Sequence, residues 1–227
     1  MSEQPEPIAA FIFDMDGTLI DNMSLHRAAW GMFLGAHGLS FSDVELHRKT
    51  HGTTNREILR DAFGARLDDV ELERLSLAKE ELYRSEFRAQ IRALPGLEPF
   101  LNAARAAGIP LALATSAIAA NVELVFELTA LAPHFELVLS AEHVARGKPD
   151  PEVFLLAAER LGVTPDRCLV FEDSLPGLEA AYRAHMPAIA VATGHAPELL
   201  RALPGVVDVI SDYRGLAPSA LLAHSRK

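Results

Sequence analysis

The chain has one cysteine, Cys168, among 227 residues. One thiol closes no internal disulfide and builds no multi-cysteine zinc site. Basic residues are outnumbered: 21 Lys and Arg stand against 31 Asp and Glu, a net charge of −10. A nucleic-acid partner needs a basic face, so none is expected. An anionic small molecule is not excluded, because it feels the local site more than the total charge. No apolar run approaches the ~18 residues of a membrane span, and no membrane partner is expected. The stretch Met1–Pro7 is acidic, and Asp14 interrupts the apolar run that follows, so no secretory signal is visible and a cytoplasmic monomer is expected. There is no internal repeat and no low-complexity segment. No G-x-G-x-x-G follows a strand, and His47 and His51, four apart, lack the glutamate of an H-E-x-x-H site.

What is present is a core. Hydrophobic residues make up 49% of the chain, too many for a disordered or fibrous protein. Strand-length apolar runs recur at Ile8–Phe13, Ile109–Ala114, Leu137–Leu139, Cys168–Phe171, Ala188–Val191 and Val206–Ile210. They show little polar alternation, as expected of strands covered on both faces of a parallel sheet. Alanine- and leucine-rich stretches of helical spacing lie between most of them. Asp150-Pro151 reads as an N-cap before a first-turn proline, and Gly162 as a helix stop. The predicted fold class is α/β, a Rossmann-like, mostly parallel sheet.

One interval breaks the rhythm. From Asn22 to Ile91 no strand is visible. Ser42…Glu45, Thr54…Glu57 and Asp68…Glu71 have capping-box spacing, and Gly38 and Gly64 read as helix stops. Asp69–Gln90 reads as one long amphipathic helix, with the charges of Asp68–Glu86 as a solvated face. Trp30, Met32 and Phe33 read as packing residues. An all-helical domain over 22–91 is therefore expected inside a core made of 1–21 and 92–227, with a turn at Pro95-Gly96.

The chemistry lies where the apolar runs stop. The first ends at Asp14-Met15-Asp16-Gly17-Thr18, the second at Thr115-Ser116, and the fourth at Glu172-Asp173-Ser174. Strand ends of an open parallel sheet converge at the ligand crevice. Asp14, Asp16, Thr115, Glu172 and Asp173 are thus expected to meet, and Lys148, after the third run, adds a cation. Up to four carboxylates in one crevice repel one another unless a cation, a proton or the lysine intervenes. An oxygen-rich site without histidine or thiolate favours a hard ion, here Mg²⁺. The fitting substrate is a phosphate, with the metal and Lys148 neutralising its charge. The two aspartates are not an EF-hand, whose glycine stands at position six rather than four. The four fixed positions of Asp-x-Asp-Gly-Thr recur by chance in about one window in 10⁵.

Asp14-Met15-Asp16-Gly17-Thr18, Thr115, Lys148 and Glu172-Asp173 resemble, in order, the four motifs of the haloacid dehalogenase superfamily. The helical insertion resembles its C1-type cap. Leu19–His26, Lys148–Phe154 and Phe171–Ser174 are similar to the β-phosphoglucomutase-like and sugar-phosphatase branch. The resemblance implies Asp14 as the nucleophile that forms an aspartyl-phosphate, and Asp16 as acid and base. It implies Mg²⁺ held by Asp14, the Asp16 carbonyl and Asp173, with Glu172 binding or nearby. Thr115 would donate to a phosphoryl oxygen, and Lys148 would offset charge. The cap would close over the site, with His26, Gly52, Thr54 and Asn55 as candidate substrate contacts and Ser116 and Ala117 on the core side. The resemblance implies a phosphatase acting on a small phosphorylated metabolite, a sugar phosphate above all. The alternatives are a phosphomutase, whose cap arginine and post-Thr/Ser lysine correspond here to Asn55, with Arg56 adjacent, and to Ile118, two departures that favour a phosphatase; and, in another class, a non-catalytic phosphoacceptor of the receiver type. Phosphonate cleavage would need a Schiff-base lysine, and neither Lys49 nor Lys79 has supporting context in the sequence.

Overall fold

The computed structural model describes residues 6–50, 54–64 and 67–222. The chain divides into two compact units, Met1–Asp21 with Arg92–Lys227, and Asn22–Ile91. The first holds six strands: β1 (Ala10–Phe13), β2 (Leu111–Ala114), β3 (Leu137–Leu139), β4 (Cys168–Glu172), β5 (Ala188–Val191) and β6 (Val206–Ile210). The second holds α1 (Met23–Ala36), α2 (Asp43–Thr50), α3 (Asn55–Phe63) and α4 (Asp69–Phe87). The remaining helices belong to the first unit: α5 (Leu97–Ala106), α6 (Ala119–Thr129), α7 (Glu152–Leu161), α8 (Leu175–Arg183), α9 (Pro197–Arg201) and α10 (Pro218–Leu221).

The strands form one parallel sheet in the order β3-β2-β1-β4-β5-β6. In β1, β2, β4 and β5 the side chains alternate in size rather than polarity. Ala10 and Ile12 of β1, Ala112 and Ala114 of β2, Cys168 and Val170 of β4, and Ala188 and Ala190 of β5 share a cluster with Ala157 and Ala158 of α7 and Ala180 and Ala181 of α8. The intervening positions carry the bulk, because successive residues of a strand point to opposite faces. Phe11 stacks on Phe100 of α5 at 6.0 Å, and Phe13 on Phe171 of β4 at 4.5 Å. Each such ring contributes about 1.5–3 kcal/mol by its burial. Small side chains on one face let α7 and α8 approach closely, while the other face is filled with aromatic rings.

The second unit is all helical among its described residues. The three capping signals form: Ser42 with Glu45, Thr54 with Glu57, and Asp68 with Glu71. Trp30, Phe33, Leu46, Ile58, Leu59, Leu72 and Leu75 pack into its core, while Met32 is exposed. One expectation is overturned: the charges of α4 are not all solvated. Lys79 and Glu80 are buried, at 1% and 6% exposure. Helical spacing from Leu72 and Leu75 turns them inward with Tyr83. A smaller correction concerns Asp150. The helix starts at Glu152, and Asp150 Oδ1 accepts from the Glu152 amide at 3.1 Å.

Where the chain leaves and re-enters the first unit, its two passes are tied together. The Leu94 amide donates to the Leu19 carbonyl at 2.8 Å, and Ile20 and Ala93 form an antiparallel bridge. The buried Tyr213 holds both passes. Its phenol donates to the Thr18 carbonyl at 3.1 Å and its amide to the Pro95 carbonyl at 2.9 Å.

Candidate active site

From β1 the chain steps one way to β2 and β3, and the other way to β4. The carboxyl ends on either side of that switch point form the usual ligand crevice of an open parallel sheet. Asp14 lies there because its amide donates to the Phe171 carbonyl at 3.0 Å, extending the β1–β4 pairing past Phe13. The chain then bends at Gly17, whose φ of +78° suits glycine. The Gly17 amide donates to the Ile20 carbonyl at 2.7 Å, and the Thr193 hydroxyl donates to the Gly17 carbonyl at 2.6 Å. A Cβ at Gly17 would overlap the Asp173 carboxylate, so the bend is also the space in which Asp173 lies.

Glu172 ends β4. Its Oε1 accepts from the amides of Asp173 and Ser174, at 3.1 and 2.9 Å, and from the Ser174 hydroxyl at 2.9 Å. Its Oε2 accepts from Lys148 Nζ at 2.6 Å, and the same ammonium donates to Asp14 Oδ1 at 2.6 Å. Lys148 also lies 4.8 Å from the centre of the Phe154 ring. Thr115, buried after β2, accepts the Ala117 amide at 3.1 Å through its hydroxyl oxygen, which leaves the hydroxyl proton to donate. Asp16 is half-buried, and its charge raises the Asp14 pKa further.

Burial pushes the Asp14 carboxyl up to about 8, and the Glu172 charge adds to this; Lys148 only partly offsets both. Asp173 is raised well above the carboxylate range by burial and by its neighbours Glu172 and Asp14. Burial alone would lower Lys148, but Asp14 and Glu172 outweigh it and raise it. Oxygens of Asp14, Glu172 and Asp173 all lie within 4.8 Å of one another. Ionised together, the three buried carboxylates would exceed the charge of the one ammonium, and a hard divalent cation fits that excess in charge and donor type.

The other expected site residues fall in different places. Ser116 is exposed and Ala117 buried beside Thr115. Gly52, like His51, lies outside the described residues. In the helical unit His26 Nδ1 lies 2.8 Å from Lys79 Nζ, and its ring stacks on Tyr83 at 3.8 Å. Lys79 pairs with Glu80 at 2.8 Å, and Asn55 Nδ2 donates to Glu80 Oε1 at 2.8 Å. Burial would raise Glu80, but Lys79 and His26 outweigh it and bring it down to about 2. The Thr54 hydroxyl donates to Glu57 Oε2 at 2.7 Å and is committed to its helix cap. His47 lies 3.2 Å from Arg27. The sequence reading missed the context of Lys79: the signal was its spacing from Leu72 and Leu75, which places it on the packed stripe.

A parallel sheet with acidic strand ends at its switch point and an all-helical insertion after β1 defines a class of hydrolases. Residues 8–185 match the haloacid dehalogenase-like hydrolase family, and the chain belongs to it. It is similar to the fructose-1-phosphate phosphatase YqaB of Escherichia coli, at 34% identity over 186 residues covering 82% of this chain and 97% of that protein. It is 34% identical over 175 residues to a phosphorylated carbohydrates phosphatase of Thermotoga maritima, covering 77% of this chain and 81% of that one. Among solved structures, a family IA, variant 3 hydrolase of Entamoeba histolytica superposes with a TM-score of 0.89 at 25% identity, over 95% of this chain and 98% of that chain. Among the described residues no helix is long and apolar enough to cross a membrane.

Proposed function

We propose that the chain is a Mg²⁺-dependent phosphatase of a small phosphorylated metabolite, a sugar phosphate above all, working through an aspartyl-phosphate on Asp14. The observation that carries this reading is the buried set Asp14, Glu172 and Asp173, bridged by Lys148. The two relatives named as sugar-phosphate and carbohydrate-phosphate phosphatases support the substrate class.

Asp14 and Asp173, with the Asp16 main-chain carbonyl, would hold the ion. Both oxygens of Glu172 already accept hydrogen bonds, so Glu172 serves to orient the set. When bound, the ion neutralises the carboxylates and polarises the phosphoryl oxygens. Asp14 attacks phosphorus with a carboxylate oxygen while the ester bond to the leaving oxygen breaks. Asp16 gives that oxygen its proton, then takes one from the water that attacks the phosphorus. The Asp14–phosphorus bond breaks and phosphate leaves. Lys148 holds the Asp14 carboxylate in place, and the Thr115 hydroxyl donates to a phosphoryl oxygen.

On the first unit, Ser116 and Ala117, next to Thr115, are the residues that would meet the leaving group; within the helical unit, His26 and Asn55 are engaged with Lys79 and Glu80. Asn55 is an uncharged amide, and the adjacent Arg56 pairs with Asp69 at 2.5 Å, so neither supports the cation that a second phosphate needs. This favours a phosphatase over a phosphomutase.

The test is phosphate release from a panel of phosphomonoesters with Mg²⁺, with EDTA and with Asp14→Asn. Turnover is expected with Mg²⁺ alone. A loss of roughly 10⁴-fold or more is expected in folded Asp14→Asn. Turnover in EDTA, or by the variant, overturns the reading. β-Glucose 1-phosphate, assayed with and without a bisphosphate activator, separates the mutase: isomerisation without net phosphate release would establish it.

A further inference from the structure

Lys148 stands in a loop, 145–151, between β3 and α7, yet its ammonium makes two contacts of 2.6 Å deep in the site. A lysine has four rotatable side-chain bonds and about 2 kcal/mol of rotamer entropy to lose, so its loop must be held. The structure shows what holds it. Glu152, the first residue of α7, turns its carboxylate back across the loop. Oε1 accepts from the Ala145 amide at 2.9 Å and Oε2 from the Arg146 amide at 3.1 Å. The loop is closed further by Asp150. Its Oδ1 accepts the Glu152 amide at 3.1 Å, its Oδ2 lies 3.0 Å from Arg146 Nε, and its own amide donates to the Gly147 carbonyl at 3.0 Å. Two residues on, Phe154 of the same helix lies 4.8 Å from the Lys148 ammonium, measured to its ring centre. The first turn of α7 thus grips both ends of the lysine: its main chain through Glu152 and its head through Phe154.

An acid at a helix start is common, because it favours the positive end of the dipole. Glu152 does more than that, since both its oxygens are spent on amides six and seven residues upstream. We infer that Glu152 is a positioning residue, which sets the Lys148 ammonium against Asp14 and Glu172 by bracing the loop that carries it.

This rests on the phosphatase reading for its kinetic consequence only. A shift of about 1 Å in a positioned group costs on the order of 10²-fold in rate. The test uses the full chain as Glu152→Gln and Glu152→Asp. Glutamine keeps the size but has one acceptor oxygen, and its NH₂ would face an amide N–H. Aspartate keeps two acceptors.

With p-nitrophenyl phosphate and Mg²⁺, Glu152→Gln is expected to lower kcat by about 10–100-fold with KM changed by less than about twofold. Glu152→Asp should recover part of the loss. In a Lys148→Met background the same Glu152→Gln change should cost nothing further, because both changes act through one ammonium. A second readout needs no turnover. In protein labelled with ¹⁵N-lysine, the Lys148 ζ-ammonium signal, assigned by its loss in Lys148→Met, should shift or broaden in Glu152→Gln and persist in Glu152→Asp. An unchanged signal, or an equal fold-loss in both backgrounds, overturns the inference. A wild-type chain that turns over no phosphomonoester overturns the phosphatase reading instead, and leaves the ammonium signal to decide on Glu152.

Discussion

Gly177 meets the carboxylate of Glu172 with no side chain between them. It lies in the first turn of α8, and a Cβ there would overlap Glu172 Cδ and Oε2. That carboxylate receives Lys148 on one oxygen and the Asp173–Ser174 backbone on the other. The missing side chain is therefore part of the site's construction.

Gly177→Ala should push Glu172 away from Lys148. Forcing one methyl into a packed position costs about 1–3 kcal/mol, and a fall in kcat of about tenfold or more is expected from the displaced ammonium. Thermal unfolding and steady-state kinetics check both. A variant with wild-type Tm and kcat would show that Glu172 moves freely.

Mg²⁺ should stabilise the folded chain, because an unfolded chain holds no such carboxylate cluster. At a hundredfold excess over Kd the gain is about 2.7 kcal/mol, which reads as about 5–10 °C in Tm for a chain of this length. Asp173→Asn should remove most of that gain. Its own Tm in EDTA should equal or exceed that of the wild type, since burial and neighbouring charges disfavour an ionised Asp173. Scanning calorimetry with and without Mg²⁺ measures this; an undiminished gain in the variant contradicts the assignment of Asp173.

Glu80 gives a pH dependence of definite sign. Its carboxyl sits at about 2 in the folded chain against an ordinary 4.5. A depressed folded pKa contributes stability that is fully present above pH 4.5 and is lost as pH falls toward 2. Glu80→Gln leaves Lys79 buried without its carboxylate, at a cost of about 3 kcal/mol near neutrality. The stability gap between wild type and variant, measured by urea unfolding, should hold from pH 7 to about 5 and narrow below that. A gap independent of pH would show that the pair contributes no charge interaction.

The fold class was legible because every strand but β6, which holds Asp208, is built on an unbroken apolar run, and because three capping boxes announce helices in the insertion. The strand-end rule places Asp14, Thr115, Glu172 and Asp173 at one sheet edge, where the structure has them. What was hidden depends on partners remote in sequence. Lys79 and Glu80 sit among so many charges that α4 reads as solvated, although their spacing from Leu72 and Leu75 puts them on the packed stripe; the contacts with His26 and Asn55 are visible only in the structure. Thr193 reaches Gly17 across 176 positions. Glu152 looks like an ordinary helix-start acid until its oxygens are traced to Ala145 and Arg146. The size alternation of the strands was present as Ala-Phe-Ile-Phe and Leu-Ala-Leu-Ala, but a test for polar alternation does not detect it.

Because Ile20 and Ala93 lie side by side and Tyr213 anchors both passes, the sheet unit joins its two chain crossings with contacts of its own. A short turn joining the two passes would close that unit, and a differently shaped insertion could be grafted at the same doorway without disturbing the carboxylates.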